Sequence, residues 1–266
     1  MITVPDPSSR PPRAARDRRD PALGKVCGQA ARGFARAREE EIVTSRPAAG
    51  GGRWVSVAPE RLAGWAQGFA GRHGPVVAVT EGDVVRLRAE DGALAECHVP
   101  FPPLPVQDGP AGEGGPVADL AAHAARERRV GVLLVRLGGY AAGVFEGERL
   151  VASKVGSRQV YGRSAAGGWS QQRFARRRRK QADEALGAAA DVAARVLGPH
   201  VPDLDAVVLG GDRRAADALR EDRRLAAVFA LASGPFLDVP DPRLAVLKET
   251  PQRFRAVRIR VVDPEE

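Results

Sequence analysis

From Arg173 the chain runs without proline to Pro199, and across that span Phe174, Ala182, Leu186, Ala189, Ala193 and Val196 recur at helical spacing. Proline would break such a run, so its absence together with one apolar stripe predicts a long amphipathic helix. A helix of this kind is stabilised mainly by packing that stripe, so the rest of the chain has to supply a core for it. The beginning of the span is different in character. Arg173, Arg176, Arg177, Arg178, Arg179 and Lys180 are too dense for one narrow face and wrap the first three turns. That distribution suits a rod set among phosphates, although a charged helix is also an ordinary solvated surface.

The segment leading into the helix reads GRSAAGGWSQQ. Adjacent glycines at Gly167 and Gly168 release the backbone from the usual steric limits, so a loop there can take positive φ and be approached closely by a ligand. Trp169 and Ser170 follow, then Gln171 and Gln172. Ser170 is a suitable N-cap, which leaves both glutamines in the first turn, where backbone N–H groups lack intrahelical partners. A glycine-rich loop before a charged helix is often only a surface connection, and the glycine pair alone does not decide between the readings.

Upstream of the loop, VGVLLVRL, AAGVFEG and RLVASKVG form an expected meander turned at Gly138 and Gly139 and again near Gly147. Downstream, DAVVLGG reads as a buried strand, residues 215–220 and 224–230 as helices, FLDVP as a short strand, DPRLAVLKET as a helix and FRAVRIRVV as a last strand. The expectation is a mixed sheet with flanking helices, of α+β or α/β class, over residues 117–262. A short helix over 117–128, with Val117, Leu120, Ala121 and Ala124 inward, precedes the meander. Residues 53–100 predict a smaller α+β unit: a helix opened by Pro59 with Leu62, Trp65 and Phe69 on one face, then strands PVVAVT, VVRLR and ALAECHV. Residues 101–116 read as a Pro/Gly linker. Residues 1–50 show no sustained period and are expected to be a disordered basic extension, with a basic arm touching RNA as the rival reading.

The formal net charge of +8 favours a polyanionic partner. Cys27 and Cys97 lie far apart and without metal-ligand spacing, so neither a disulfide framework nor a cysteine-rich zinc site is expected. His73 and His98 have no partner at ligand spacing and are read as structural. No apolar run approaches the ~20 residues of a membrane helix, and the first residues lack the apolar core of a secretory signal. The expected setting is the cytoplasm, with no membrane partner, no metal and no cofactor, and the expected state is a monomer.

GGWSQQ followed by an arginine-rich helix, after a three-strand segment, resembles the catalytic loop of the archaeo-eukaryotic peptide-chain release factors, whose signature is GGQ. It is closer to the Vms-like peptidyl-tRNA hydrolases, where a GSQ-type loop does that work, and closest to their actinobacterial branch. The resemblance covers residues 129–262, extends toward residue 53, and leaves the first fifty residues unexplained. It departs from GGQ by the insertion of Trp169 and Ser170 between the glycines and Gln171. The resemblance implies an RNase H-like, ribosome-associated fold and hydrolysis of peptidyl-tRNA on obstructed large ribosomal subunits. Gln171, which completes the SQ pair, would position water, with Gln172 as the alternative. Gly167, Gly168 and Ser170 would shape the loop, and Arg173 with residues 176–180 would bind ribosomal RNA or the tRNA acceptor end. Trp169 would stack on a base or tuck the loop against its own domain.

Two rival readings stay open at this point, while a serine or cysteine hydrolase is disfavoured because Ser170 has no histidine near it in sequence and the four histidines match no triad motif. A metal-dependent nuclease needs clustered carboxylates, yet VGVLLVRL carries Arg136 as its only ionisable residue, with Asp205, Asp212 and Asp238 near strand ends. Metal-free cleavage of tRNA near its acceptor end is a variant of that reading. A non-catalytic ribosome- or RNA-binding factor would use the same cations without chemistry.

Overall fold

The computed structural model describes residues 46–105, 115–136, 138–157 and 170–264, with the side chains of all of these except 170–175 and 178. In chain order the elements are strands β1 (Arg46–Pro47) and β2 (Arg53–Val57), helix α1 (Leu62–His73), strands β3 (Val76–Glu81), β4 (Val84–Ala89) and β5 (Leu94–His98), and helix α2 (Gly115–Ala125). Strands β6 (Arg129–Arg136), β7 (Gly139–Glu146) and β8 (Arg149–Ser157) follow, then helix α3 (Ser170–Leu197) and strand β9 (Ala206–Gly211). The remainder is α4 (Arg213–Arg220), α5 (Ala226–Ala230), α6 (Leu244–Lys248), α7 (Thr250–Arg255) and strand β10 (Val257–Val262). The expected mixed α+β architecture with flanking helices is what these elements form.

They build two sheets. The first is antiparallel throughout, in the order β1-β2-β10-β5-β4-β3. Its inward residues, Val55, Val57, Val85, Leu87, Ala95, Cys97, Val257, Ile259 and Val261, pack against Leu62 and Phe69 of α1 and Leu120 and Ala124 of α2. Pro59 opens a 3-10 turn into α1, and Gly74 closes the helix at φ 84°, its N–H bonding Ala70 O at 2.9 Å. Only glycine accepts that φ readily. Burying Leu62 and Phe69 completely contributes about 1.5–3 kcal/mol each.

The second sheet is mixed, β8-β7-β6-β9, with β6 and β9 parallel and the other pairs antiparallel. It is covered on both sides, which is why β6 is an almost unbroken apolar run rather than an alternating one. Leu133, Val135, Ala142, Val144 and Val207 meet Ala189, Ala190, Ala193 and Leu197 of α3 on one face. Val130, Val132, Leu134, Ala141, Phe145 and Val208 meet Leu237, Leu247 and Phe254 on the other.

The structure differs from the sequence expectation in several places, beginning with Arg46–Pro47, which fall in the expected extension yet form strand β1 against β2. RWVSV, read only as the start of the folded region, is strand β2. The last strand, β10, sits between β2 and β5 in the first sheet, not in the second. FLDVP forms no named strand: Leu237 makes a single parallel bridge to Gly210 before the chain turns away at Pro240. The start of the expected linker is packed, with Phe101 in the second sheet's core and Leu104 in the first's. Residues 106–114 of that linker, and the expected extension up to residue 45, lie outside the described residues.

Candidate nucleic-acid interface and catalytic loop

Strands β6, β8 and β9 run in one direction and end at a common edge, where Arg136 pairs with Gly139, Gly139 with Ser157, and Val135 with Gly211. The chain leaves this edge at Ser157 and is next described at Ser170, the first residue of α3. Gly167, Gly168 and Trp169 lie outside the described residues. Ser170 is itself helical and not the flanking cap, a shift of one position, so Ser170, Gln171 and Gln172 occupy the first turn. Backbone N–H groups there have no intrahelical acceptors, and the helix dipole makes that end a donor for negative charge.

Along α3, Arg176, Arg177, Arg179 and Lys180 are exposed, and Ala185 is the first buried side chain among those described. At ~100° per residue these four cations span an arc of roughly 160°, centred roughly 120° away from the stripe of Ala185, Ala189, Ala190, Ala193 and Leu197. Among the described residues none of the four has a carboxylate partner. Other arginines behave differently. Arg224 bonds Asp191 and Asp222 at 2.7 Å each, and Arg260 reaches Glu96 at 3.3 Å. Arg255 joins Glu60 and Glu148, and Arg86 joins Glu81 and Glu96. The cations at the head of α3 are therefore available to an external polyanion. Arg173 and Arg178 are on the same helical turns, and their side chains lie outside the described residues.

Between α3 and the strand edge is a cleft of about 200 Å³ lined by Arg136, Tyr140, Ala185, Leu186, Asp212 and Arg214. Tyr140 is held by Gly156: a Cβ on Gly156 would come within 2.5 Å of the ring, so only glycine lets the ring lie there. Arg136 donates to Val239 O at 2.6 Å, and the Asp212 carboxylate accepts from Arg214 N at 2.8 Å as the N-cap of α4. No sequence signal marks Tyr140 or Arg214. A lone tyrosine after two glycines and an arginine after a capping aspartate carry no spacing that marks a site.

The carboxylates a nuclease would need are dispersed. Asp205 accepts from Arg129 N at 2.7 Å ahead of β9, Asp212 caps α4 beyond its other end, and Asp238 pairs with Arg46 at 3.4 Å. Among the described residues no three of His, Cys, Asp or Glu converge. His73 bonds Asp91 at 2.8 Å and His98 leans on Trp54. The Asp91 carboxyl lies below its usual range because it accepts from Ala93 N–H and from His73. No described helix is long and apolar enough to cross a membrane.

No curated protein matches the chain. Among solved structures, one described as an archaeal protein is 16% identical with a TM-score of 0.35, covering 82% of this chain and 68% of its own. The crystal structure of the archaeal translation termination factor aRF1 is 16% identical with a TM-score of 0.37 and the same coverage, 82% and 68%. A family profile described as Actinobacteria/chloroflexi VLRF1 release factor matches residues 128–260, half the chain, a stretch that holds all four strands of the second sheet and the head of α3, and the chain belongs to that family.

Proposed function

We propose that this chain is a peptidyl-tRNA hydrolase of translation quality control, acting in the cytoplasm as a monomer on large ribosomal subunits that still carry a nascent chain. The observation that carries the reading is the head of α3: Arg176, Arg177, Arg179 and Lys180 are exposed and have no acidic partner among the described residues, on the helix where the chain is next described after the carboxyl edge of the second sheet. Membership of a release-factor family supports the same direction.

The chemistry asked of the protein is small. Water adds to the ester carbonyl carbon of the peptidyl-tRNA, an oxyanion forms, the bond to the ribose oxygen breaks, and the water proton ends on that oxygen. Glutamine is neither a useful base nor a nucleophile, but its amide and its backbone N–H donate and accept hydrogen bonds. Gln171 orients the water and its N–H helps hold the oxyanion, with Gln172 as the adjacent alternative. Gly167 and Gly168 admit the loop to the peptidyl transferase centre, and Ser170 opens the helix behind it. Trp169, Arg173 and the residues from Arg176 through Arg178 and Arg179 to Lys180 contact ribosomal RNA and the acceptor end, chiefly at phosphates, which sets register without reading sequence. This mechanism calls for no cofactor.

Single-turnover release of peptide from stalled large-subunit complexes tests the proposal. Alanine keeps the backbone N–H and removes the side-chain amide that orients the water, and misplacing a reacting group by ~1 Å costs about 10²-fold, so Gln171→Ala should release peptide that much more slowly while still binding. Undiminished release by that variant would remove the Gln171 side chain from the chemistry. A wild-type protein that binds the complexes and releases nothing would select the non-catalytic binding factor.

A further inference from the structure

The first sheet has two unlike faces. Successive strand residues point to opposite sides, so while Val55, Val85, Cys97 and Ile259 turn inward, Trp54, Arg86, Arg88, His98, Arg258 and Arg260 share the other side. That side is open: Val77 and Val79, which lie on it, are 66% and 45% exposed, and Arg88, His98 and Arg258 are exposed. Register sets Arg260 between Trp54 and Glu96, and Arg258 between Ser56 and His98. The Arg258 guanidinium lies 4.7 Å from the Trp54 ring centroid, and the His98 ring is 5.2 Å from it at 51°. Arg258 has no carboxylate partner among the described residues, and Arg88 reaches only Glu81, at 3.9 Å. On this face Arg86, Arg88, Arg258 and Arg260 outnumber Glu81 and Glu96.

We propose that this open face is a second nucleic-acid contact, separate from α3, that takes an unpaired stretch of RNA with one base against Trp54, Arg258 and His98 and its phosphates along Arg258 and Arg88. An acidic peptide would use the arginines and leave the indole idle, whereas single-stranded RNA satisfies both the flat ring and the charge. Strands β2 and β4 are three strand spacings apart, about 14 Å, room for several nucleotides. Partial burial, aided by Arg258 and Arg260 and opposed by Glu96, holds His98 below the usual imidazole range, so the ring adds a flat surface without repelling its neighbours. This contact does not depend on peptide release.

The test is fluorescence anisotropy of a fluorescein-labelled single-stranded 12-mer RNA with the full chain, alongside thermal melting of each variant. Trp54→Leu should bind about tenfold more weakly, the scale of one lost base stack, and Trp54→Phe should stay within about threefold of wild type. Arg88→Glu, a change at an exposed site, should weaken binding by a similar factor with an unchanged melting point, and it serves if Trp54→Leu fails to fold. Photocrosslinks from 4-thiouridine RNA should map to β2, β5 or β10. Wild-type affinity in Arg88→Glu, crosslinks confined to α3, or capture of a labelled acidic peptide in place of the RNA would overturn the proposal. Loss of peptide release in a Gln171→Ala protein that binds the 12-mer normally bears only on the earlier reading.

Discussion

Replacing Arg176, Arg177, Arg179 and Lys180 by glutamine in one variant removes exposed charge at the head of α3 that has no partner among the described residues. Glutamine is close to arginine and lysine in helix propensity, and none of these side chains is buried, so the helix itself should survive. If each cation neutralises one phosphate, counterion release gives ~0.7 of a log unit per contact on a single strand and ~0.9 on a duplex, so four contacts change the salt slope by roughly 3 to 3.5. Between 50 and 200 mM salt the logarithm of concentration changes by ~0.6, so wild type should lose about a hundredfold more affinity over that range than the variant. Sedimentation of the protein with purified large ribosomal subunits across the salt series measures this, with thermal melting as the control for folding. An unchanged slope in a variant that melts like wild type would refute phosphate contact by these side chains.

Gly211→Ala tests the carboxyl edge of β9: Gly211 has φ 98° and a Cβ there would sit 2.1 Å from Val135 O, so backbone strain and overpacking together should cost about 3 kcal/mol and lower the melting temperature by roughly 10 °C. A shift within about 2 °C of wild type would contradict the geometry. Burial pushes the Cys97 thiol up to about 12, so the folded state holds its proton where the unfolded thiol has lost it; the stability this confers is complete below the unfolded value near 9 and is lost as pH climbs from there toward 12. Thermal melts across that range should show wild type declining more steeply than Cys97→Ala, and parallel curves would refute the assignment.

The parts of the fold that were legible in the sequence are those whose signal is local. Gly138, Gly139 and Gly147 punctuate the β6–β8 meander at its turns, and α3 announces itself by its proline-free span and its Ser170 start. The basic turns ahead of Ala185 were visible from composition alone, and the structure adds that the described ones are unpaired and turned from the core. What was not legible depends on distant partners. RWVSV offers two valines and a tryptophan, too little to declare a strand until Val55 meets Ile259 across two hundred residues of chain. FLDVP has strand composition, but Leu237 finds only Gly210 to bridge. Phe101 reads as linker because prolines follow it, while its ring packs edge-on against Phe254. The cluster of Trp54, His98 and Arg258 is assembled from three strands and has no sequence motif.

The position of β10 also bears on when the first sheet is completed. As the chain emerges from a ribosome, the second sheet has all its strands once β9 is out, yet β2 and β5 still face a gap that only Val257–Val262 fills. Strands β2 to β5 thus wait for a strand made after all those of the second sheet, and a message cut short before Val257 would yield a paired second sheet beside an open, adhesive first one.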